Sequence, residues 1–217
     1  MLTEALDIES NVFGANNQRV ANIESHLGIL YDRQGDLPRA VQATRQAVRL
    51  ATDKLGTRHY LTGYYLDSLA NLYLRANDLP AAENYARQSL DVYAQSLPAR
   101  HLYVASTRQL LGDILMQRGK LTAAEVELRA AVEINTALAG ADSWRTARSQ
   151  ASLGWDLILR DNAAEGEPLL IAARSRLLAT VGSKHAATIW ASSHLADYLR
   201  AHHRDAEAAQ LSAGPQG

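Results

Sequence analysis

The sequence contains no cysteine and carries a formal net charge of -1. Without cysteine there can be no disulfide, no thiolate nucleophile and no cysteine-bound zinc. A chain so close to neutrality has no general attraction for nucleic acid or for an anionic membrane surface. No apolar run reaches the roughly 20 residues that a membrane-spanning helix needs. Composition therefore excludes thiol chemistry and favours neither nucleic acid nor membrane as a partner.

Motifs of catalysis are missing as well. The chain has no G-x-S-x-G, no P-loop, no G-x-G-x-x-G and no H-E-x-x-H. Three of its seven histidines recur at one repeat position before a predicted helix, which indicates a turn or capping role: His59, His101 and His185. A second group, His194, His202 and His203, lacks the spacing of helical zinc ligands. We expect a non-catalytic segment, with no cofactor and no metal, that could belong to a chain with a separate catalytic domain.

What the sequence does contain is a repeat with a period of 42 residues. Five leucines mark it: Leu27, Leu69, Leu111, Leu153 and Leu195. A small residue follows each leucine: Gly28, Ala70, Gly112, Gly154 and Ala196. Apolar residues at spacings of three and four surround each leucine, as on the buried face of a helix. A fixed period of this length is typical of stacked helical pairs, and the small residues should let the two helices of a pair approach closely.

Another position of the repeat predicts how the first helix of each pair, helix A, ends. The residues there are Gly35, Asn77, Gly119, Asp161 and His203. Glycine, and after it Asn, Asp and His, are the types that best tolerate positive φ. We predict a left-handed residue that ends helix A and lets the second helix, helix B, fold back. Asp36 and Asp78, each followed by Leu-Pro, are predicted to cap helix B.

The period predicts a single solenoid over residues 1–217. Its parts are the tail of an incomplete repeat over 1–16, repeats over about 18–59, 60–101, 102–143, 144–185 and 186–212, and a frayed tail over 213–217. The missing front of the first unit favours a fragment cut from a longer chain. The fourth repeat departs most from the pattern, because Gly166 stands where helix B usually has Ala.

The clearest copy of the pattern runs from Leu27 to Asp36 with the sequence Leu-Gly-Ile-Leu-Tyr-Asp-Arg-Gln-Gly-Asp, and Ala40 follows on helix B. It resembles the tetratricopeptide repeat, whose usual period is about 34 residues. The period of 42 is similar to the longer-helix variant of kinesin light chains and many bacterial regulators. The resemblance implies an all-α fold, a right-handed α–α superhelix of about five helix-turn-helix repeats. It also suggests the C-terminal repeat domain of a bacterial regulatory protein such as a serine/threonine kinase.

In tetratricopeptide proteins the A helices line a concave groove that holds a peptide or helix of a partner. The resemblance places these side chains in the groove: Tyr64, Asp67, Asn71, Arg75, Gln109, Asp113, Arg148, Trp155, Trp190, His194 and Asp197. From the first repeat it adds Asn22, Ser25, Asp32 and Arg33. Asn71 could clamp a partner's backbone with its amide, or bond its own neighbours. Trp155 and Trp190 could anchor a partner, or fill gaps between the fourth and fifth repeats.

The leading functional hypothesis is a protein-interaction module, the docking or sensor domain of a larger bacterial signalling protein. Its partner would be a protein or peptide, with no nucleic acid and no membrane insertion of this segment. Two alternatives stay open: a small-molecule-sensing domain, and a self-associating scaffold in which Leu2, Leu6 and Phe13 pair in a homodimer. We favour a cytoplasmic location, or a periplasmic one if the chain is the sensor domain of a membrane receptor kinase.

Overall fold

The computed structural model describes residues 18–212, and within that range the chain forms ten α-helices and no strand. In chain order they are α1 (Gln18–Arg33), α2 (Leu37–Leu55), α3 (Tyr60–Arg75), α4 (Leu79–Ser96), α5 (Leu102–Gln117), α6 (Leu121–Ala139), α7 (Trp144–Leu159), α8 (Ala163–Val181), α9 (Ala186–Ala201) and α10 (Asp205–Ser212). The predicted all-α class is therefore confirmed. The tail of the incomplete repeat predicted over 1–16, which includes Leu2, Leu6 and Phe13, and the frayed tail predicted over 213–217 lie outside the described residues.

The helices pack in pairs that follow the period of the sequence. Helix α1 packs on α2 and α3 on α4, and later in the chain α7 packs on α8 and α9 on α10. The chain divides into two compact units, residues 1–114 and residues 115–217, here called unit 1 and unit 2. A single continuous solenoid over 1–217 stays a prediction. Between residues 18 and 212, no helix is both long enough and apolar enough to cross a membrane.

The five repeat leucines lie in the cores of the two units. None of them is more than 4 % exposed: Leu27, Leu69, Leu111, Leu153 and Leu195. Replacing a leucine buried in this way by alanine typically costs about 2–5 kcal/mol, because the cavity left behind is only partly refilled. The periodic leucines therefore contribute to the core of each unit, as their spacing predicted.

The residue predicted to end each helix A is left-handed in all five repeats. Its φ is +79° at Gly35, +58° at Asn77, +69° at Gly119, +60° at Asp161 and +58° at His203. The amide of the next residue donates to the carbonyl oxygen five positions back, with the same N···O distance of 2.9 Å in every repeat, as from Asp36 to Tyr31. This bond is the long one of a Schellman turn, and it satisfies a carbonyl that the helix end would otherwise leave unpaired.

Helix starts are capped where the sequence predicted. The Oδ1 atoms of Asp36 and Asp78 each accept a hydrogen bond from the backbone N–H three residues on, at 3.1 Å. The three repeated histidines accept, through Nδ1, from the N–H two residues on at 3.1–3.2 Å: His59, His101 and His185. In the fourth repeat the hydroxyl of Ser143 replaces the imidazole. Capping is the role that these hydrogen bonds give the three histidines.

The small residue after the repeat leucine brings paired helices together, and between α7 and α8 the backbones themselves meet. A Cβ built on Gly154 would lie 2.9 Å from the carbonyl oxygen of Gly166, and one built on Gly166 would lie 2.6 Å from that of Gly154. Between α1 and α2, a Cβ on Gly28 would meet the Oγ1 of Thr44. Gly166 departs from the repeat pattern because it is the packing partner of Gly154.

Candidate functional site

In unit 1, four of the predicted groove residues form one stripe along α3. They are Tyr64, Asp67, Asn71 and Arg75. Spacings of three and four place such side chains on the same face of a helix. Tyr64 and Asp67 are half-buried, whereas Asn71 and Arg75 are exposed. The stripe therefore runs from partly buried groups to groups in full contact with solvent.

Beside this stripe, unit 1 has a pocket of about 220 Å³ between α1, α2 and α3, here called the acidic pocket. Its polar lining comprises Ser25, Asp32, Thr44, Tyr64, Asp67, Ser68 and Asn71. The hydroxyl of Thr44 donates to the carbonyl of Ala40 at 2.9 Å. Ser25, on α1, is only 4 % exposed. The pocket is thus lined by hydroxyl, amide and carboxylate groups.

Two carboxylates give this pocket its negative character. Asp32 forms an ion pair with Arg75. Asp67 accepts a hydrogen bond from the hydroxyl of Thr107 at 2.6 Å. Burial raises the pKa of Tyr64, with smaller contributions from a neighbouring tyrosine and from the charge of Asp67. The negative charge of Asp67 therefore reaches the phenol in the pocket wall.

Helix α5 contributes the other two predicted residues of unit 1. Gln109 is only 3 % exposed, so its side chain is buried. Asp113, one helical turn further on, is half-buried. The spacing of Gln109 and Asp113 predicts that both lie on one side of the helix. Spacing alone does not predict how deeply that side is buried. A role for either residue in partner binding stays a prediction.

In unit 2, three predicted residues of α7 and α9 form an aromatic cluster: Trp155, Trp190 and His194. The imidazole of His194 stacks on the indole of Trp190, with ring centroids 4.0 Å apart, and meets Trp155 edge-on at 4.9 Å. The Nδ1 of His194 lies 2.9 Å from the carbonyl oxygen of Trp190. All three side chains are partly buried, and both indoles pack against the core of unit 2. The core of unit 2 therefore holds the rings of the aromatic cluster in place, and the cluster remains partly accessible to solvent.

The other predicted residues of unit 2 are charged and exposed. Arg148 lies on α7, and Asp197 lies on α9. Asp197 forms an ion pair with Arg200 at 2.9 Å, and both side chains are more than half exposed, at 66 % and 52 %. Exposed pairs of this kind contribute little to stability because water screens them. As groove residues, Arg148 and Asp197 stay predictions.

Sequence reasoning missed a buried carboxylate in unit 2. Asp156 on α7 is fully buried, and neither of its carboxylate oxygens has a hydrogen-bond partner within the described part of the chain. Burial raises the pKa of Asp156 from its ordinary 3.8 to about 6, and the charge of Arg129 opposes this only in part. A signal was present in the sequence, since the equivalent position elsewhere holds Leu30, Leu72, Ile114 and Tyr198.

The chemistry of these groups suits recognition of other side chains. The acidic pocket offers carboxylates, hydroxyls and an amide, and the aromatic cluster offers indole and imidazole rings. Such groups bind partners through charge, hydrogen bonds and ring contacts. Over residues 18–212, no three His, Asp or Glu side chains come together as a metal site would require. That the segment lacks catalysis and cofactors stays a prediction.

Comparison with known proteins identifies the repeat. A family model described as tetratricopeptide repeat matches residues 62–103 and 104–145, two adjoining stretches that each have the length of the period. No curated protein matches the sequence. The predicted resemblance to the tetratricopeptide repeat is confirmed by these two matches, and this repeat typically carries no catalytic site.

Solved structures share the fold. TPR-like repeats of a protein assigned as a kinesin light chain, from Podosopora anserina, have a TM-score of 0.71 at 21 % identity over 89 % of this chain and 91 % of that one. BtubC (BKLC) from P. vanneervenii has a TM-score of 0.74 at 20 % identity over 97 % and 83 %. A Rap protein complexed with Competence and Sporulation Factor has a TM-score of 0.73 at 15 % identity over 88 % and 51 %. The predicted fold class is confirmed by this likeness.

Proposed function

Because two adjoining stretches of the chain match the tetratricopeptide repeat, we propose that it is an interaction module that binds a peptide or helix of a partner protein. One observation carries the proposal: the aromatic cluster of unit 2 brings two tryptophans and a histidine into ring contact while all three stay partly exposed. Tryptophan is enriched among the few residues that dominate the binding energy of protein interfaces. The cluster would anchor an apolar or aromatic side chain of the bound segment.

The geometry of the cluster favours binding over the filling of a gap. Because its rings support one another and rest on the core of unit 2, they lose little conformational freedom when a partner arrives. Rings that only filled a gap would be fully buried, whereas Trp155, Trp190 and His194 all retain access to solvent. An ordered and accessible aromatic surface is the arrangement typical of a binding anchor.

The stripe on α3 supplies the polar side of the proposed recognition. The amide of Asn71 has donors and acceptors that match those of a peptide backbone, and Asn71 is exposed. Arg75 pairs with Asp32, yet 46 % of its side chain remains exposed, so it can also meet an acid of the partner. We therefore include both residues in the proposed binding surface of unit 1.

We further propose that the module serves as the docking or sensor domain of a larger bacterial signalling protein. One of the similar structures is a Rap protein complexed with Competence and Sporulation Factor, and this chain spans about half of that protein. The likeness supports the context only by analogy of fold. The reading frame that encodes the chain tests it: an adjoining kinase or DNA-binding domain would support the context, and a frame without any further domain would contradict it.

Selection from a random peptide library against the immobilised chain tests the binding proposal. We expect Trp155→Ala and Trp190→Ala each to weaken the binding of selected peptides by about 2 kcal/mol, as for hot-spot residues. Trp144→Ala is the matched control, because Trp144 also packs against the core of unit 2 but contacts His185 instead of the cluster. A library that yields no binder would contradict the function. Equal loss of binding in all three variants would remove the aromatic cluster from it.

A further inference from the structure

Unit 2 contains a pocket to which the aromatic cluster contributes no side chain. It lies between α8, α9 and α10, has a volume of about 390 Å³, and is here called the aliphatic pocket. Its apolar lining comprises Ile171, Leu178, Leu195, Leu199 and Leu211. Ligand pockets in proteins usually measure about 300–1,000 Å³ and combine an apolar lining with a few polar groups that fix the orientation of the ligand. The aliphatic pocket therefore has the size and the lining of a site for a small organic molecule.

One cation of this lining has only neutral partners. The Nε of Arg174 on α8 donates to the hydroxyl of Ser192 at 2.8 Å, and its Nη2 donates to the carbonyl oxygen of Leu211 at 3.3 Å. Within residues 18–212, Arg174 forms no ion pair. A guanidinium carries five N–H donors, so these two bonds leave further donors for a ligand. Burial lowers the pKa of Arg174, as expected for a cation that water solvates incompletely.

The other charged groups of the lining compensate one another. The Nε and Nη2 atoms of Arg204 donate to the two carboxylate oxygens of Glu207, each at 2.7 Å, and its Nη1 donates to Glu167. A guanidinium and a carboxylate joined by two parallel hydrogen bonds form a strong and geometrically specific pair. Arg174 is therefore the charged group of the pocket that can pair with a ligand, and the charge that it selects is negative.

Two positions of α8 depart from the repeat in a way that suits such a site. At one, two and three periods before Arg174 the chain has the aliphatic residues Val132, Leu90 and Val48. At the same intervals before Ile171 it has the exposed residues Arg129, Arg87 and Arg45. Since the other repeats pack without a cation at the first position, helix packing does not require Arg174. In α8 the cation lies in the pocket wall, and Ile171 is 41 % exposed where the other repeats have arginine.

We infer that the aliphatic pocket binds a small aliphatic carboxylic acid, with the hydrocarbon chain against its leucines and the carboxylate paired with Arg174. The planar fork of a guanidinium matches the two oxygens of a carboxylate, and one cation balances one negative charge. Each buried methylene of the chain adds to the affinity through the hydrophobic effect. The inference goes beyond the proposed function, because it gives unit 2 a second ligand at a place that the aromatic cluster does not occupy.

Titration of the full chain with octanoate, followed by NMR, tests this inference. We expect saturable shifts of the Nε–H signal of Arg174 and of the methyl signals of Leu178 and Leu199. Octan-1-ol has the same chain without the charge and should bind about tenfold more weakly. Acetate has the charge without the chain and should show no saturable binding over the same range of concentration.

Variants of α8 separate the charge from the shape of the pocket. Arg174→Met keeps a long side chain but removes the charge, so it should weaken octanoate binding by about tenfold and leave octan-1-ol binding unchanged. Arg176→Met is the matched control, because Arg176 lies on the same helix, pairs with Asp142 and does not line the pocket. Ile171→Glu adds an acid at an exposed position of the lining and should also weaken octanoate binding by about tenfold.

Several results would overturn the inference. One is equal binding of octanoate and octan-1-ol, and another is equal octanoate binding by Arg174→Met and Arg176→Met. If Arg174→Met does not fold, Ile171→Glu replaces it, and unchanged octanoate binding by that variant overturns the inference. Library peptides that octanoate displaces, and that bind Arg174→Met more weakly, would show that the pocket receives an acidic group of a peptide and not a free acid.

The same measurements distinguish this inference from the proposed function. Library peptides that bind through the aromatic cluster, without saturable octanoate binding, would support the proposed function and overturn the carboxylate site. A library without binders, combined with octanoate binding that depends on Arg174, would overturn the proposed function and support the carboxylate site.

Discussion

Unit 1 and unit 2 are built from one repeat, yet they close their helical pairs in different ways. In unit 1 the small residue Gly28 faces the side chain of Thr44, whereas in unit 2 Gly154 faces the backbone of Gly166. A side chain can rotate away from an added methyl group, but a backbone carbonyl moves only together with its helix. The same position of the repeat should therefore tolerate substitution in unit 1 and resist it in unit 2.

The two units also differ in their buried polar groups. In unit 1 the hydroxyl of Ser89 donates to the carbonyl of Gly63 at 2.8 Å, and that of Tyr65 donates to Asn22. In unit 2 the carboxyl group of Asp156 is fully buried and, within residues 18–212, has no hydrogen bond. A buried charge without a partner costs far more than a hydroxyl with one. Unit 2 should therefore respond to pH through Asp156.

The largest expected effect is that of Gly154→Ala. The new methyl group would lie 2.9 Å from both the carbonyl oxygen of Gly166 and the amide nitrogen of Leu170, so α7 and α8 would have to separate. We expect the free energy of unfolding to fall by about 3 kcal/mol, even after the roughly 1 kcal/mol that alanine gains over glycine in a helix. Urea unfolding followed by circular dichroism measures the loss, and hydrogen exchange of the α7 and α8 amides locates it.

The next effect is a gain in stability from Asp156→Asn. The folded chain holds a proton on Asp156 between about pH 4 and pH 6 that the unfolded chain has released, because the pKa is raised from 3.8 to about 6. This contribution to stability is complete below about pH 4 and is lost as the pH rises through about 6. At neutral pH the loss is about 3 kcal/mol at most, and the asparagine variant should avoid it.

Thermal unfolding at a series of pH values checks this second prediction. The variant and the wild type should be similar near pH 4, should diverge between about pH 4 and pH 6, and should keep a constant difference above that range. Asp142→Asn is the control, because this carboxylate of unit 2 has a side chain that is 97 % exposed. Parallel pH profiles for wild type and Asp156→Asn would show that the buried carboxyl group does not titrate in this range.

A smaller effect is expected for Gly28→Ala, the counterpart of the first change in unit 1. The added methyl group meets the hydroxyl of Thr44, which can rotate at the loss of its hydrogen bond to Ala40. We expect a net loss of about 1 kcal/mol. Adding Thr44→Ala should restore much of the lost free energy of unfolding. No truncation of a side chain should restore the stability lost in Gly154→Ala. A loss of stability in Gly28→Ala as large as that in Gly154→Ala would contradict the proposed difference between a side-chain contact and a backbone contact.

The smallest effect is expected at the helix caps. His59→Ala removes the Nδ1 acceptor at the start of α3 and should cost about 1 kcal/mol, the usual value of an N-cap. His59→Ser copies Ser143, which caps α7 in unit 2, and should retain most of the stability. Thermal unfolding of the two variants side by side measures the difference. Equal loss in both would mean that the imidazole acts through packing and not through its hydrogen bond.

Features that depend on local backbone chemistry could be predicted from the sequence. The left-handed φ at Asn77, Asp161 and His203 followed from the few residue types that tolerate it. The caps at Asp36 and Asp78 followed from a side-chain acceptor placed before a helix. In each case the residue type and its immediate neighbours contain all the information that the structure uses.

Features that depend on which helix covers which face could not be predicted in this way. From the sequence, Gly166 is only a departure from the repeat pattern, because the sequence does not show that Gly166 contacts Gly154. Register predicts Gln109 at a partner surface but does not indicate its burial, and only 3 % of this residue is exposed. Helical periodicity identifies a side of the helix, whereas burial depends on the depth of tertiary packing. The fold class is confirmed, whereas the roles of the candidate site residues stay predictions.

The recurrent Schellman turn has a consequence for how such proteins change in length. Each turn is formed by residues of its own repeat and is closed by the same 2.9 Å hydrogen bond. The reversal of chain direction in one repeat therefore needs no hydrogen bond from the next repeat. Duplication or loss of a whole repeat would then preserve the hairpin geometry of those that remain. A lineage can therefore lengthen or shorten this chain in whole repeats without redesigning the joints.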